Sequence, residues 1–254
     1  MRSIEVKKNK VYLNNKPLYQ RLVLDQGFYP DGIWTAPTDK ALKNDIILSM
    51  KAGFNGARLH EKVFEDRFHY WADKLGYITW AEWGNWGANE NAKGTETAFM
   101  HEWPKIVEHL KNHPSIITWT PFNETNTLEC NSQHKKLMRL AYDITKKIDP
   151  TRPVNETSGY QHQKTDIWTV HHYEPNPDKL MKALNPKKGV YKNFPKFEVS
   201  YKNQPYIIDE YGGAWWLPLN IRDKFFSWGH GAVSYTHLRA HETEADLVCR
   251  LLLE

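Results

Sequence analysis

The feature that most constrains the fold is the regular alternation of strand-like and helix-like segments along the 254-residue chain. Short apolar runs alternate with segments whose apolar residues recur at helical spacing. A short hairpin over 4–13 precedes the first of these runs. The predicted strands cover 17–24, 54–60, 77–82, 115–122, 154–156, 166–171 and 205–209.

The predicted helices between these strands have recognisable ends. Thr38 is suited to cap the first helix, and Gly53 follows its last turn. Pro104 predicts a kink or a late start in the third helix. The second predicted helix covers 64–75, the third begins near residue 97, and the fourth covers 130–148. Long loops are predicted over 83–94 and 175–204.

Seven strand-helix alternations imply parallel pairing of the strands, because a helix carries the chain back to the same edge of the sheet. At about 250 residues, the single-domain α/β fold with this count is the eight-stranded (β/α)8 TIM barrel. The alternative is a doubly wound open sheet. That fold normally has a glycine-rich turn after its first strand, and residues 24–27, Leu-Asp-Gln-Gly, do not form one.

Composition excludes several classes of protein. With 40% hydrophobic and 25% charged residues the chain is not of a disordered type. It has no apolar run of the roughly 20 residues that a membrane helix needs, so no membrane association is expected. The lysines are dispersed, which argues against nucleic acid. Two cysteines define neither a disulfide framework nor a metal site, and the start lacks a signal peptide, so localisation stays undetermined.

The aromatic content is high, with 11 Trp, 13 Tyr and 10 Phe. Aromatic rings pack against the C–H faces of sugars, which favours a carbohydrate ligand, although an aromatic-rich core explains the same composition.

Glu124 and Glu210 each follow an apolar strand and are expected at the mouth of the barrel. Cleavage of a glycosidic bond needs two such carboxyl groups, one to protonate the leaving oxygen and one to attack the anomeric carbon or activate water. The alternative for each is an ordinary ion pair with Lys or Arg.

Several motifs carry a specific resemblance to glycoside hydrolase family two, the β-galactosidase and β-glucuronidase family. Two of them, Pro-Phe-Asn-Glu and Ile-Ile-Asp-Glu-Tyr-Gly, look like that family's acid/base and nucleophile segments. The others resemble its catalytic barrel and appear in the right order. The matching segments lie at 24–32, 35–39, 53–60, 70–76, 113–124 and 207–212.

The resemblance implies a retaining β-glycosidase without a cofactor, acting on a β-galactoside, a β-glucuronide or a related terminal sugar. It makes Glu124 the general acid/base, Glu210 the nucleophile and Asn123 a donor to the sugar hydroxyl beside the reacting carbon. Trp119, Phe122 and Trp168 are candidates for the apolar surroundings that raise the pKa of an acid. The alternative function is a carbohydrate-binding barrel that has lost activity through truncation.

The remaining substrate-binding candidates stand near predicted strand ends. Arg58 is a candidate partner for Glu210, with an ordinary salt bridge as the alternative. A metal site is not expected, because consecutive strand residues such as His171 and His172 face opposite sides. By the same argument Asp209 should point away from Glu210. Candidates for hydrogen bonds to sugar hydroxyls, with packing as the alternative, are His60, His171, His172 and Tyr173. Trp215 and Trp216 are candidates for a sugar platform, unless one of them only covers the barrel rim. Glu82 ends the third strand and is a further candidate for substrate binding.

The two ends of the chain depart from the family pattern. The catalytic barrel domain is expected at 1–233. Full-length relatives carry sandwich domains before the barrel, and these domains are expected to be partners of the barrel that are missing from this sequence. Residues 234–254 resemble adaptor-derived read-through and predict a non-native tail. Because an open barrel exposes strand edges, residues 231–236 are expected to pair as the eighth strand. A helix over 244–253 should follow them.

Overall fold

Strands alternate with helices in the order that the sequence predicts. The computed structural model describes residues 2–125, 129–185, 187, 189–215 and 230–232. These residues fall into two compact units. Unit one comprises those of Met1–Val170 and Lys192–Ile207, and unit two comprises those of His171–Tyr191 and Ile208–Glu254.

A small antiparallel sheet opens the chain. Strands β1 (Ile4–Lys7) and β2 (Lys10–Leu13) form the expected hairpin, with Ile4 opposite Leu13. A third strand, β3 (Lys16–Pro17), pairs with β2. The predicted strand over 17–24 is therefore divided, and its second half, β4 (Leu22–Asp25), joins the main sheet.

The main sheet of unit one has four parallel strands in chain order, which confirms the predicted parallel pairing. Strand β4 pairs with β5 (Gly56–Leu59), β5 with β6 (Ile78–Glu82), and β6 with β7 (Ile116–Thr120). Because the strands are parallel, the loops that follow them all leave from the same edge of the sheet. The candidate residues of unit one lie at this edge.

Helices connect these strands, and their ends follow local sequence. Helix α1 (Asp39–Lys51) is capped by Thr38, whose hydroxyl accepts a hydrogen bond from the Ala41 amide. Helix α2 (Asp66–Leu75) ends at Gly76, which has φ of +72°. Helix α3 (Lys93–Leu110) starts earlier than expected and continues through Pro104. Its buried face holds it together across the proline, through Phe99, Trp103, Val107 and Leu110.

The second half of the chain is less regular. Its elements are β8 (Phe122–Asn123), α4 (Ser132–Ile148), β9 (Thr157–Ser158), β10 (Trp168–His172), α5 (Pro177–Ala183) and β11 (Tyr206–Tyr211). The predicted strand at 154–156 forms only a bridge between Val154 and Trp119, while a short parallel pair joins β8 and β9 just beyond it. The short helix α5 lies inside the predicted loop over 175–204.

Unit two contains one further parallel pair. Strand β12 (Ala214–Trp215) pairs with β13 (Gly231–Ala232), which begins where the eighth strand is expected. The rest of that predicted strand and the predicted helix over 244–253 lie outside the described residues. Both therefore stay predictions.

The core of unit one lies on both sides of the main sheet. One cluster packs helices α3 and α4 against β7 around Trp103, Trp119 and Phe122, and a second packs α1 and α2 around Phe68 and Ile46. A third joins the first hairpin to Trp80 and Ile117. Across the described parts of the chain, no helix combines the length and apolarity needed to cross a membrane.

Candidate functional site

Four polar side chains of unit one meet at the carboxyl edge of the main sheet. Arg58 lies on β5 and is 2% exposed. Its Nε donates to Glu82 Oε1 at 2.5 Å, and its Nη2 donates to Asn123 Oδ1 at 2.6 Å. The same Nη2 lies 2.9 Å from His60 Nδ1. The guanidinium therefore links three neighbouring strand ends.

Glu82 is the anionic partner of this group and is 1% exposed. Its Oε2 accepts from the Glu61 amide at 3.0 Å and lies 3.3 Å from His60 Nδ1. Burial alone raises the pKa of the Glu82 carboxyl, but the Arg58 charge and the contacts with His60 outweigh burial and place that pKa below its usual value. Glu82 is thus an anion within the fold, and its burial favours positioning over contact with a ligand.

The segment that carries Glu124 is held by hydrogen bonds on both sides. The Asn85 side chain accepts from the Asn123 amide at 2.7 Å and donates to the Asn123 carbonyl at 2.9 Å. The Glu124 amide donates to the Ser158 carbonyl at 3.1 Å. Glu124 itself is half-buried and has φ of +40°, a conformation that costs energy for any residue but glycine.

Unit two holds the second glutamate. Glu210 is 8% exposed and accepts a hydrogen bond from the Tyr173 hydroxyl. His171 Nε2 lies 3.5 Å from Glu210 Oε1 and 3.3 Å from Asp209 Oδ1. The Tyr173 ring stacks on His230 with centroids 3.6 Å apart. Glu210 therefore sits among an imidazole, a phenol and a second carboxylate.

The expectation that Asp209 points away from Glu210 is wrong. Both carboxylates approach the same His171 nitrogen. The two-residue alternation that the expectation used is absent here, because the Asp209 and Glu210 side chains are both turned away from solvent, at 4% and 8% exposed. A strand end without that alternation allows neighbouring side chains to converge.

Other expected ligand contacts lie elsewhere in unit two or beyond the described residues. The His172 ring packs against Tyr191 at 5.0 Å, and its Nδ1 accepts from the Glu174 amide at 3.3 Å. Trp215 lies in β12, where the structure describes the backbone only, and Trp216 lies outside the described residues. Their contacts with a sugar stay predictions.

The three aromatic residues expected around Glu124 are used in core packing. Trp119 packs edge-on against Trp103, and its Nε1 donates to Asp149 at 2.8 Å, near the end of α4. Phe122 lies between Phe99 and Trp83. Trp168 packs against His162 and Tyr201. Their contribution to the surroundings of Glu124 stays a prediction.

Asn85 and Glu61 belong to the group of polar side chains at the carboxyl edge of the main sheet but are not among the candidates that the sequence predicts. Glu61 Oε2 accepts from the amides of Asn85 and Trp86 at 2.7 and 2.9 Å. Burial raises the pKa of the Glu61 carboxyl, and the bond from Trp86 offsets this only in part. Asn85 lies in the loop predicted over 83–94, and the composition of that loop does not distinguish Asn85 from its neighbours.

Two further expectations stay predictions. One is that Arg58 pairs with Glu210, and the other is that the chain has no metal site.

Comparison with solved structures supports the fold. The chain is similar to a β-D-glucuronidase of Dictyoglomus thermophilum, with a TM-score of 0.67 and 20% identity over 84% of this chain and 39% of that one. It is also similar to a β-glucuronidase of an uncultured Clostridium species, with a TM-score of 0.70, 18% identity and the same shares of each chain. At this level of identity the similarity establishes the fold alone.

Sequence relatives carry a consistent name. The chain is 30% identical to a β-galactosidase of Photobacterium profundum over 65% of its own length and 16% of the relative's. It is 26% identical to a β-galactosidase of Vibrio vulnificus over 89% of its length and 22% of that relative's. The chain therefore spans about a fifth of these curated relatives.

The family assignment follows from the match to a family description. Residues 4–217 match the TIM barrel domain of the glycosyl hydrolases family 2. That span covers most of the chain and includes Glu124 and Glu210. It also confirms the predicted TIM barrel fold class and the resemblance to this family. The chain belongs to glycosyl hydrolase family 2, and it carries that family's TIM barrel domain.

Proposed function

We propose that this chain carries the catalytic centre of a retaining β-glycosidase that hydrolyses terminal β-linked sugars of the galactoside or glucuronide type. The observation that carries the proposal is the setting of Glu210. Its carboxylate is almost buried at the end of β11, accepts a bond from Tyr173 and approaches His171. These contacts fix the direction of a carboxylate oxygen, as attack on a sugar carbon requires.

The reaction uses two steps in which the charges balance. In the first, a Glu210 oxygen forms a bond to the anomeric carbon while the glycosidic oxygen leaves and takes the proton of Glu124. In the second, Glu124 removes a proton from water, the water oxygen bonds to the anomeric carbon, and Glu210 leaves as a carboxylate. The anomeric configuration is inverted twice and so retained.

Arg58 and Asn123 support this chemistry from unit one. The Asn123 Oδ1 is occupied by Arg58 Nη2, which directs the Asn123 Nδ2 group the other way. That NH2 group is then a donor for the sugar hydroxyl beside the reacting carbon. His60, held against Arg58 and Glu82, is a second candidate contact for sugar hydroxyls.

The alternative function is a carbohydrate-binding barrel that does not turn over its ligand. The chain spans 16% and 22% of two β-galactosidase relatives, so their activity is tested on this chain directly. The test is a panel of nitrophenyl β-galactoside, β-glucuronide and related glycosides, with Glu210→Gln as the inactive reference. Release of nitrophenol by the parent chain supports the glycosidase. Sugar binding by calorimetry without release supports the alternative.

A further inference from the structure

The Asn85 side chain pairs with the backbone of Asn123 as a neighbouring strand would. Its Oδ1 accepts from the Asn123 amide, and its Nδ2 donates to the Asn123 carbonyl, at 2.7 and 2.9 Å. Asn85 is 5% exposed and Asn123 is 2% exposed, so water does not compete freely for these bonds. This two-bond clamp fixes the peptide groups on both sides of Asn123.

The residue directly after the clamp is strained. Glu124 has φ of +40°, in the left-handed region that residues with a side chain seldom adopt. Such a conformation persists only where surrounding contacts hold it. The Ser158 carbonyl holds the Glu124 amide from β9, and the Asn85 clamp holds the preceding residue from the other side.

Asn85 is itself fixed by two acidic side chains. Its backbone amide donates to Glu61 Oε2 at 2.7 Å, and its Nδ2 also donates to Glu90 Oε1 at 3.2 Å. The Glu61 amide in turn donates to Glu82 Oε2. A continuous set of hydrogen bonds therefore runs from the buried Arg58–Glu82 pair through Glu61 and Asn85 to the backbone beside Glu124.

We propose that Asn85 is a positioning residue that holds the Asn123–Glu124 backbone, and through it sets the position of the Glu124 carboxyl. The inference rests on the proposed function, in which Glu124 is the acid/base. Asn85 acts through the backbone and does not meet the substrate. Its loss should therefore resemble a partial loss of general acid catalysis, not a loss of sugar binding.

The decisive variant is Asn85→Ala, and Asn55→Ala is its matched control. Asn55 also makes two side-chain bonds to backbone, accepting from the Arg21 amide and donating to the Tyr19 carbonyl, both at 2.8 Å, although it is half-buried and its partners are two different residues. It precedes β5 and so lies at the opposite end of that strand from Arg58. Both variants lose two side-chain bonds to backbone, but only Asn85→Ala loses them beside Glu124.

Leaving-group dependence separates positioning from simple destabilisation. With a poor leaving group, kcat/KM of Asn85→Ala should fall about 100-fold, the loss that a misplacement of roughly 1 Å causes. With a dinitrophenyl glycoside, whose leaving group needs no proton, kcat/KM should fall under about 5-fold. Added azide should raise kcat for the dinitrophenyl glycoside, because azide replaces the water that Glu124 activates in the second step. Asn55→Ala should keep parental kinetics with both substrates below its melting temperature.

Equal losses of kcat/KM with both leaving groups, or no loss with either, would overturn the positioning role of Asn85. Amide exchange provides a readout that does not need turnover. The Asn123 and Glu124 amides should exchange at least about 10-fold faster in Asn85→Ala and at the parental rate in Asn55→Ala. Unchanged exchange refutes the clamp. A parent chain without turnover, in which Asn85→Ala nevertheless speeds exchange, would refute the proposed function and keep the clamp.

Discussion

Arg58 Nε lies 2.5 Å from Glu82 Oε1, and both side chains are almost completely buried. The two residues come from neighbouring parallel strands, β5 and β6. A buried ion pair is costly to desolvate, so its presence is weak evidence for stability by itself. Here the pair also orients Asn123 and the Glu61 amide, which gives it a place in the arrangement around Glu124.

Removing the negative partner should be strongly destabilising. Glu82→Gln leaves the buried Arg58 charge without compensation, and we expect the free energy of unfolding to fall by about 3–5 kcal/mol. Urea denaturation monitored by tryptophan fluorescence measures this. The control is Asp143→Asn, which breaks an exposed pair with Lys164 and should cost less than about 1 kcal/mol. Similar losses for the two variants would show that the Arg58–Glu82 pair has no special role.

Glu210→Gln should abolish turnover of every glycoside in the panel. The amide keeps the shape of the side chain but is a far weaker nucleophile, so the covalent glycosyl intermediate does not form. Circular dichroism should show that the fold is kept. Glu108→Gln, an exposed change on α3, is the control and should retain parental turnover. Full activity in Glu210→Gln would show that another group is the nucleophile.

Glu124→Ala should lose activity selectively. Removal of the acid blocks departure of poor leaving groups, whereas dinitrophenolate departs without a proton. Azide is small enough to replace water in the second step and should restore turnover as a β-glycosyl azide. Initial rates with and without azide, together with identification of that product, check the prediction. Glu124 would not be the acid/base if azide had no effect on a slow variant.

The sequence predicts the order of elements well because each barrel unit is encoded locally. Apolar runs mark β5, β6 and β7, and Thr38 and Gly76 mark helix ends by their capping chemistry. The prediction is least accurate where a strand is short. The segment at 154–156 gives only a bridge at Val154, and α5 forms in a segment whose prolines and lysines indicate a loop.

The sequence predicts only those residues of the candidate site that stand at the ends of recognisable strands. Arg58 and Asn123 stand at such ends, and the structure brings them together. The role of Asn85 depends on the path of a loop, which no local pattern encodes. The convergence of Asp209 and Glu210 depends on a lost strand alternation, so periodicity led to the opposite expectation.

Acid should destabilise unit one through His69. His69 lies on α2 and its ring is fully buried. Neither ring nitrogen has a hydrogen-bond partner within the described part of the chain. Burial first, and then the charge of the nearby His113, lower the pKa of His69 to about 4. The unfolded chain therefore takes up a proton near pH 6.5 while the folded chain does not until about pH 4.

Stability contributed by the neutral His69 is present above pH 6.5 and is lost as the pH falls toward 4. The shift corresponds to about 3 kcal/mol in total. His69→Leu should therefore flatten the dependence of unfolding free energy on pH between 6.5 and 4. Urea titrations at a series of pH values measure the slope, and His101→Leu, an exposed change on α3, should keep the parental slope. An unchanged slope in His69→Leu would contradict the assignment.

The spacing of the two glutamates tests the retaining mechanism directly. A nucleophile and an acid that act on the same glycosidic bond stand about 5–5.5 Å apart in retaining enzymes, whereas inverting enzymes need about 6.5–9.5 Å to admit a water molecule. We expect the shorter distance between the carboxyl groups of Glu124 and Glu210 in a crystal structure of the chain with a bound sugar. Proton NMR of the first-formed product should show the β-anomer before mutarotation. A separation beyond about 8 Å together with an α-anomer first would establish inversion, and Glu210 would then act as a base toward water.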